Sequence, residues 1–224
     1  MTFTRSTALQ QIKTHKLIAI LRGVPMEHTD CVVQALLEGG IHVLEFTFDH
    51  GQPDCIEATA AKIQHVSGKY GDTLVIGCGT ALSVEEAEAA HEAGASLVIT
   101  PNVNPDVIHR TRELDMVSMP GAMTPTEIEL AWRSGADIVK IFPAGNLGPG
   151  YIKAIRGPLG HIPLSAVGGM SVDNIPAFLD AGVCGFGLGG PLVIPAAVKS
   201  GDYAAIEARA LAFVKAVHDW EAAR

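Results

Sequence analysis

Positive charge is scarce in this chain, and so are aromatic rings, paired cysteines and long apolar runs. Its 224 residues carry 16 Lys and Arg against 24 Asp and Glu, a formal net charge of −8. A general nucleic-acid surface needs a basic face, so that class is excluded. An anionic small molecule is not, because a few local donors suffice to bind one. Aromatic residues make up 5% of the chain, which leaves Ile, Val, Leu and Ala to fill the core. The four cysteines, Cys31, Cys55, Cys78 and Cys184, stand far apart with no Cys-x-x-Cys pair. Free thiols in a cytoplasmic protein are the expectation. Residues 1–16 are polar and lack the apolar core of a secretory signal. The uncharged stretch 182–198 is broken by five glycines and two prolines, so it reads as a buried strand and loop, not a membrane span.

Several motifs are missing too. No Gly-x-Gly-x-x-Gly follows the first apolar run, and no phosphate loop ends in Gly-Lys-Ser/Thr. The nine histidines are scattered, and His91-Glu92 lacks the second histidine of a zinc helix. No catalytic metal and no cofactor are expected. His50, just past the second apolar run, reads as a surface residue at the rim of any pocket there.

What the chain does have is one pattern repeated from end to end. Apolar residues are 48% and charged residues 18%, a globular composition. Apolar runs at 17–21, 41–48, 73–78, 96–100, 116–119, 138–142, 162–167 and 183–188 alternate with helical stretches at about 27–38, 53–67, 83–93, 104–113, 124–134, 148–155, 171–181 and 202–222. Gly39-Gly40, Gly94, Gly135 and Gly182 stand where helices should stop. Ser83, Thr124 and Ser171 stand where helices should start, and Thr124-Pro125-Thr126-Glu127 has capping-box spacing. Continuous apolar strands alternating with helices imply a parallel sheet covered by helices. Eight such units predict a (β/α)8 TIM barrel, with residues 4–15 as an extra N-terminal helix and residues 1–224 as a single domain. An open doubly wound sheet is the competing fold.

One residue breaks the apolar rule. Lys140 lies inside Ala136-Asp137-Ile138-Val139-Lys140-Ile141-Phe142-Pro143, whereas the other seven lysines occupy polar or helical settings. Dehydrating an ammonium is costly, so burial favours the neutral amine. A neutral amine can attack a ketone and form a Schiff base. The alternative is a structural lysine that snorkels to the strand end or pairs with a carboxylate.

Strand parity adds neighbours. In a barrel, alternate side chains point inward and the active site lies at the C-terminal ends of the strands. Ile138, Lys140 and Phe142 share a face; so do Val43, Glu45 and Thr47, and so do Ile18, Ile20 and Arg22. Glu45 is the candidate proton-transfer group, since an apolar setting raises a carboxyl toward neutrality. A Lys140–Glu45 ion pair is its structural alternative. Arg22 is the candidate carboxylate ligand. Thr47 and Thr80 offer hydroxyls at the mouth, and Phe142-Pro143 offers a wall. Gly168-Gly169 ends the seventh strand and Gly189-Gly190 the eighth, the loops where barrels commonly hold phosphate. Tight turns are the alternative.

Together these pieces resemble the bacterial 2-keto-3-deoxy-6-phosphogluconate (KDPG) and 4-hydroxy-2-oxoglutarate (KHG) aldolases. The likeness runs from about Leu17 to the C-terminal helix. It is carried by Ile18-Ala19-Ile20-Leu21-Arg22-Gly23, Glu38-Gly39-Gly40-Ile41, Leu44-Glu45-Phe46-Thr47, Gly77-Cys78-Gly79-Thr80 and Thr100-Pro101-Asn102. Pro120-Gly121, Thr124-Pro125-Thr126-Glu127, Val139-Lys140-Ile141-Phe142-Pro143-Ala144, Leu147-Gly148-Pro149, Val167-Gly168-Gly169 and Gly189-Gly190 complete it. The resemblance implies a class I aldolase of the Entner–Doudoroff type, a lyase with Lys140 as Schiff-base residue and Glu45 as proton shuttle. It implies substrate contacts from Arg22, Thr47, Thr80, Pro101, Phe142, Gly168, Gly169, Gly189 and Gly190, pyruvate as one product, and a homotrimer. Partners other than a keto-acid substrate, whether nucleic acid or membrane, are not expected.

The chain departs from that family in places. Asp49 stands where some members have arginine after the Glu-x-Thr strand, which leaves the carboxylate to Arg22. Val167 replaces a common threonine, Pro191 a common serine, and Cys78 a common alanine. The Val-Gly-Gly and Leu-Gly-Pro pieces resemble relatives that cleave the galactonate epimer, so both sugar configurations stay open, beside 4-hydroxy-2-oxoglutarate. A barrel of another reaction class, such as a sugar-phosphate epimerase or isomerase, is the remaining alternative.

Overall fold

Short apolar runs buried on both faces form the staves of this molecule. The fold is given by a computed structural model, in which residues 3–224 are described. The strands are β1 (Leu17–Leu21), β2 (Val43–Thr47), β3 (Val75–Gly79), β4 (Leu97–Ile99), β5 (Val117–Met119), β6 (Gly121–Ala122), β7 (Val139–Ile141), β8 (Leu164–Val167) and β9 (Gly185–Leu188). All pairings are parallel, in the order β5-β4-β3-β2-β1-β9-β8-β7-β6. Parallel strands need crossovers, and helices supply them. These are α2 (Met26–Glu38), α3 (Cys55–Tyr70), α4 (Val84–Glu92), α5 (Pro105–Glu113), α6 (Pro125–Arg133), α7 (Ala144–Leu159) and α8 (Ile175–Asp180), followed by α9 (Pro195–Ser200) and α10 (Tyr203–Ala222).

The outermost strands, β5 and β6, are separated only by Pro120. They are one stave interrupted at a residue with no N–H to give. Its lower half pairs with β4 and its upper half with β7, and the Pro120 carbonyl still accepts from Lys140 N at 2.9 Å. Nine strand segments therefore close into eight staves, a (β/α)8 barrel.

Inside, Ile18, Val43, Val75, Leu97, Val117, Met119, Ile138 and Val167 form one apolar cluster with Ala8 and Ile12. Those last two belong to α1 (Arg5–His15), which plugs the N-terminal mouth. The outward faces pack with the helices into a second cluster. The expected caps are present at Ser83 and Thr124, each a full capping box. Gly40, Gly94, Gly135 and Gly182 hold positive φ just past their helices, where a side chain would be strained.

Three local expectations are corrected. Ser171 does not start a helix: it exchanges hydrogen bonds with Asn174 in a turn, and α8 begins at Ile175. α7 starts at Ala144 rather than 148 and bends at Gly148, whose φ is 75°. Residues 195–200, read as loop, form α9. Six residues are too few to show a helical period, and the surrounding glycines and prolines hid it.

The plug is fastened by a buried carboxylate. Asp137, 6% exposed, accepts from Arg5 Nε at 3.1 Å, from Arg112 Nη1 at 3.3 Å and from Ser118 N at 3.0 Å. Removing it leaves the Arg5 guanidinium and a buried N–H without their acceptor, and leaves Arg112 Nη1 with only the Gly135 carbonyl. Asp137→Ala is expected to cost about 3 kcal/mol, seen as a lower urea midpoint at unchanged slope. A loss below about 1 kcal/mol, the range of surface pairs, would show that the plug does not depend on it.

Candidate active site

Lys140 sits at the middle of β7, 7% exposed, with its side chain on the inner face. Glu45 sits at the middle of β2, 2% exposed, also inward. Neither makes an ion pair or a side-chain hydrogen bond among the described residues, and Glu45 Oε2 is buried without a partner. The two groups sense each other only through space. Burial pushes the Glu45 carboxyl up to about 7, against the opposing pull of Lys140 and Arg22. Burial likewise lowers Lys140; Glu45 opposes this and Arg22 adds to it. The outcome is an amine that holds its proton less firmly than an ordinary lysine, facing an acid poised near neutrality. The structural ion pair considered from the sequence is not formed.

Small residues make room for this pair. A Cβ on Gly79 would lie 2.4 Å from Glu45 Oε1, and one on Gly77 would lie 2.5 Å from the Leu97 carbonyl oxygen. The carboxylate thus leans over the inward positions of β3, Gly77 and Gly79, which carry no side chain. Thr80 follows with φ 59°, a left-handed conformation rare for a β-branched residue. Its hydroxyl accepts from Arg22 Nη2 at 3.4 Å. Arg22, just past β1, is exposed and has this one long bond.

These side chains front a cavity of about 540 Å³ at the C-terminal end of the barrel. Its walls include Arg22, Glu45, Thr80, Pro101, Lys140 and Phe142, together with Gly168, Gly169, Gly189 and Gly190. Phe142 is 43% exposed, with its ring centroid 5.2 Å from Lys140 Nζ. Gly168 and Gly169 both have positive φ, and a Cβ on Gly169 would lie 3.0 Å from Gly145 Cα. That turn is pressed against the start of α7, where Gly145 N donates to the Gly168 carbonyl at 2.8 Å. Gly190 has nothing near its missing Cβ, which leaves its backbone open to the cavity.

One residue does not join them. Thr47 shares the inner face with Glu45 but does not line the cavity; its hydroxyl is buried and unpartnered. His50 also lies apart, bonded through Nε2 to Glu86 at 2.6 Å. The walls further contain Ile20, Met170, Gly187 and Leu188. Ile20 was on the face already assigned inward, two residues before Arg22. Gly187 carries no chemistry to notice, although a Cβ there would lie 2.9 Å from Val167 Cγ2. Ser165, in register with Lys140, is buried with an unpartnered hydroxyl outside the cavity lining.

A family model described as "KDPG and KHG aldolase" matches residues 9–209. A probable 2-dehydro-3-deoxy-6-phosphogalactonate aldolase of Rhizobium meliloti is 38% identical over 201 residues, 89% of this chain and 90% of the relative. The 2-dehydro-3-deoxy-6-phosphogalactonate aldolase of Escherichia coli is 37% identical over 177 residues, 79% and 83% of the two chains. A solved structure described as native KDPGal superposes with a TM-score of 0.82 at 35% identity, covering 91% of this chain and 95% of that one.

The raised carboxyl has a measurable consequence. Between the ordinary value of 4.5 and about 7, the folded chain keeps a proton that the unfolded chain has lost. Stability from Glu45 is therefore whole below the lower value and falls as pH rises through the upper one, by about 3 kcal/mol. Glu45→Gln has no such slope. It should gain about 3 kcal/mol on the native chain between roughly pH 4 and pH 8, read from urea midpoints. An equal difference at both pH values would contradict a raised carboxyl.

Proposed function

The chain belongs to the KDPG and KHG aldolase family, and from that premise we propose that it is a class I aldolase acting through Lys140. The observation that carries this is the apposition of Lys140 and Glu45 in one apolar cavity with no ion pair between them. A 2-keto-3-deoxy-4-hydroxy acid is held by its carboxylate on the Arg22 fork, with the Thr80 hydroxyl beside it. Neutral Lys140 attacks the C2 ketone to form a carbinolamine. Glu45 gives a proton to the departing hydroxyl, and water leaves to form the iminium. Glu45, now a carboxylate, takes the C4 hydroxyl proton directly or through a water. The C3–C4 bond breaks, its electrons enter the iminium to give an enamine, and the aldehyde departs. Protonation at C3 and hydrolysis release pyruvate and restore the amine. The phosphate of a phosphorylated substrate would rest on the backbone of Gly168-Gly169 and Gly189-Gly190.

Both phosphorylated epimers yield the same pyruvate and glyceraldehyde 3-phosphate, because they differ only at C4, which becomes the aldehyde carbon. We favour the galactonate epimer, 2-dehydro-3-deoxy-6-phosphogalactonate, since both relatives described above carry that name. The Val167-Gly168-Gly169 sequence agrees with this. We also read the whole chain as one catalytic domain that works as a cytoplasmic homotrimer; a light-scattering mass of three chains is the test of assembly.

Borohydride reduction in the presence of pyruvate should leave one pyruvate-sized adduct, mapped to Lys140. Lys140→Ala should abolish turnover, and Lys140→Arg should not restore it, because arginine stays protonated. Activity within about tenfold of the native chain in either variant, a difference of only about 1.4 kcal/mol, would end this reading. On a substrate panel, kcat/KM should favour the galactonate epimer by roughly tenfold or more. A preference of that size for the gluconate epimer would reverse the assignment of configuration while leaving the chemistry intact.

A further inference from the structure

A second cavity, of about 270 Å³, shares Arg22 with the first. Its polar walls are Arg22, His28 from the first turn of α2 and Lys199 from the last turn of α9, and no carboxylate is among its lining residues. Its floor is the buried trio Val24, Val193 and Val198. Convergence of three basic groups is unexpected in a chain with a net charge of −8. Elsewhere cations such as Arg5, Lys16, Arg110 and Lys215 are satisfied by ion pairs. Arg22 and Lys199 make none among the described residues. His28 Nδ1 is held by the Tyr203 hydroxyl at 2.7 Å, which fixes the ring; Nε2 is left for another partner.

We propose that this cavity is a second anion site, which takes the phosphate group of a small phosphate compound and competes with the catalytic cavity for Arg22. The chemistry points one way. A tetrahedral dianion accepts hydrogen bonds from several directions and matches a guanidinium fork, an ammonium and an imidazole together. The apolar floor lowers the local dielectric and strengthens each attraction. The volume lies below the usual range for drug-sized ligands and suits a small ion. Arg22 is anchored only by its 3.4 Å bond to Thr80, so it can be drawn toward either cavity. Occupancy of the second cavity would then weaken the hold on substrate carboxylate, and by linkage substrate would weaken phosphate. This competition rests on the carboxylate role given to Arg22 above; the anion site itself does not.

The test is calorimetric titration of the full chain near neutral pH, with inorganic phosphate in one arm and glycerol 3-phosphate in the other. The native chain should bind, and Lys199→Gln should weaken that binding roughly fivefold or more, the scale of one charge-assisted hydrogen bond. Without phosphate, kcat and KM of the variant should be unchanged. His28→Gln should act in the same direction, as a check that the effect belongs to the cavity. Tighter binding of glycerol 3-phosphate would identify an organic ester as the ligand, and equal binding would identify the phosphate group alone. Absence of binding in both arms, or affinity unchanged in Lys199→Gln, overturns the proposal. The Gly168-Gly169 and Gly189-Gly190 turns are a separate matter: binding there would survive both substitutions, so failure of that reading and of this one are told apart.

Discussion

Removal of water from two ionisable side chains is the constraint on which the rest of this molecule depends. Lys140 and Glu45 are drawn toward neutrality by the same cause, burial, although their charges are opposite. A direct ion pair would have kept both charged and made the lysine useless as a nucleophile. The barrel prevents this by giving each group its own stave and no contact with the other, so attraction between them remains weaker than desolvation. A surface site cannot do this, because exposed groups keep their ordinary protonation.

Dryness at the mouth is secured from below. The plug helix α1 and the inner apolar layers fill the barrel up to the level of the reactive pair. Above that level glycine replaces bulk: Gly79 admits the carboxylate and Gly187 clears Val167. Gly121 serves a related purpose. A Cβ there would lie 2.5 Å from the Pro101 carbonyl oxygen, so the strand resumed after Pro120 is what lets the loop after β4 close over the site. The proline break, the missing side chains and the cavity are thus parts of one arrangement.

Much of this was legible in the sequence, for reasons that differ by residue. A lysine inside an apolar strand advertises itself, because the penalty for burying it is local and large. Parity put Glu45 and Arg22 on the inner face, since side-chain alternation is a property of any strand. Thr47 shows the limit of that argument. Parity fixes a face, but which inward side chain reaches the cavity depends on barrel tilt and on the covering loops. Ser165 and Gly187 are silent for another reason: a small inward residue matters through what lies across the barrel, which spacing along the chain does not encode. α9 escaped because its helix is shorter than the period that would reveal it, and with it escaped the second cavity, whose Lys199 arrives from that helix.

Charge also explains how a chain of net −8 can handle an anionic substrate. Burial disfavours the Lys140 ammonium, Arg22 supplies a guanidinium at the mouth of the free site, and the field of the whole molecule gives no help. If the Schiff base forms on Lys140 as proposed, the balance changes at the moment it is needed. The iminium is a protonated Schiff base, and it carries a positive charge for as long as its nitrogen keeps its proton. Placed near Glu45 in a medium of low dielectric, it favours the carboxylate over the acid. Glu45 would therefore be an acid while water must leave and a base once the iminium exists. One carboxyl near neutrality can fill both roles because the covalent state of the lysine sets its protonation.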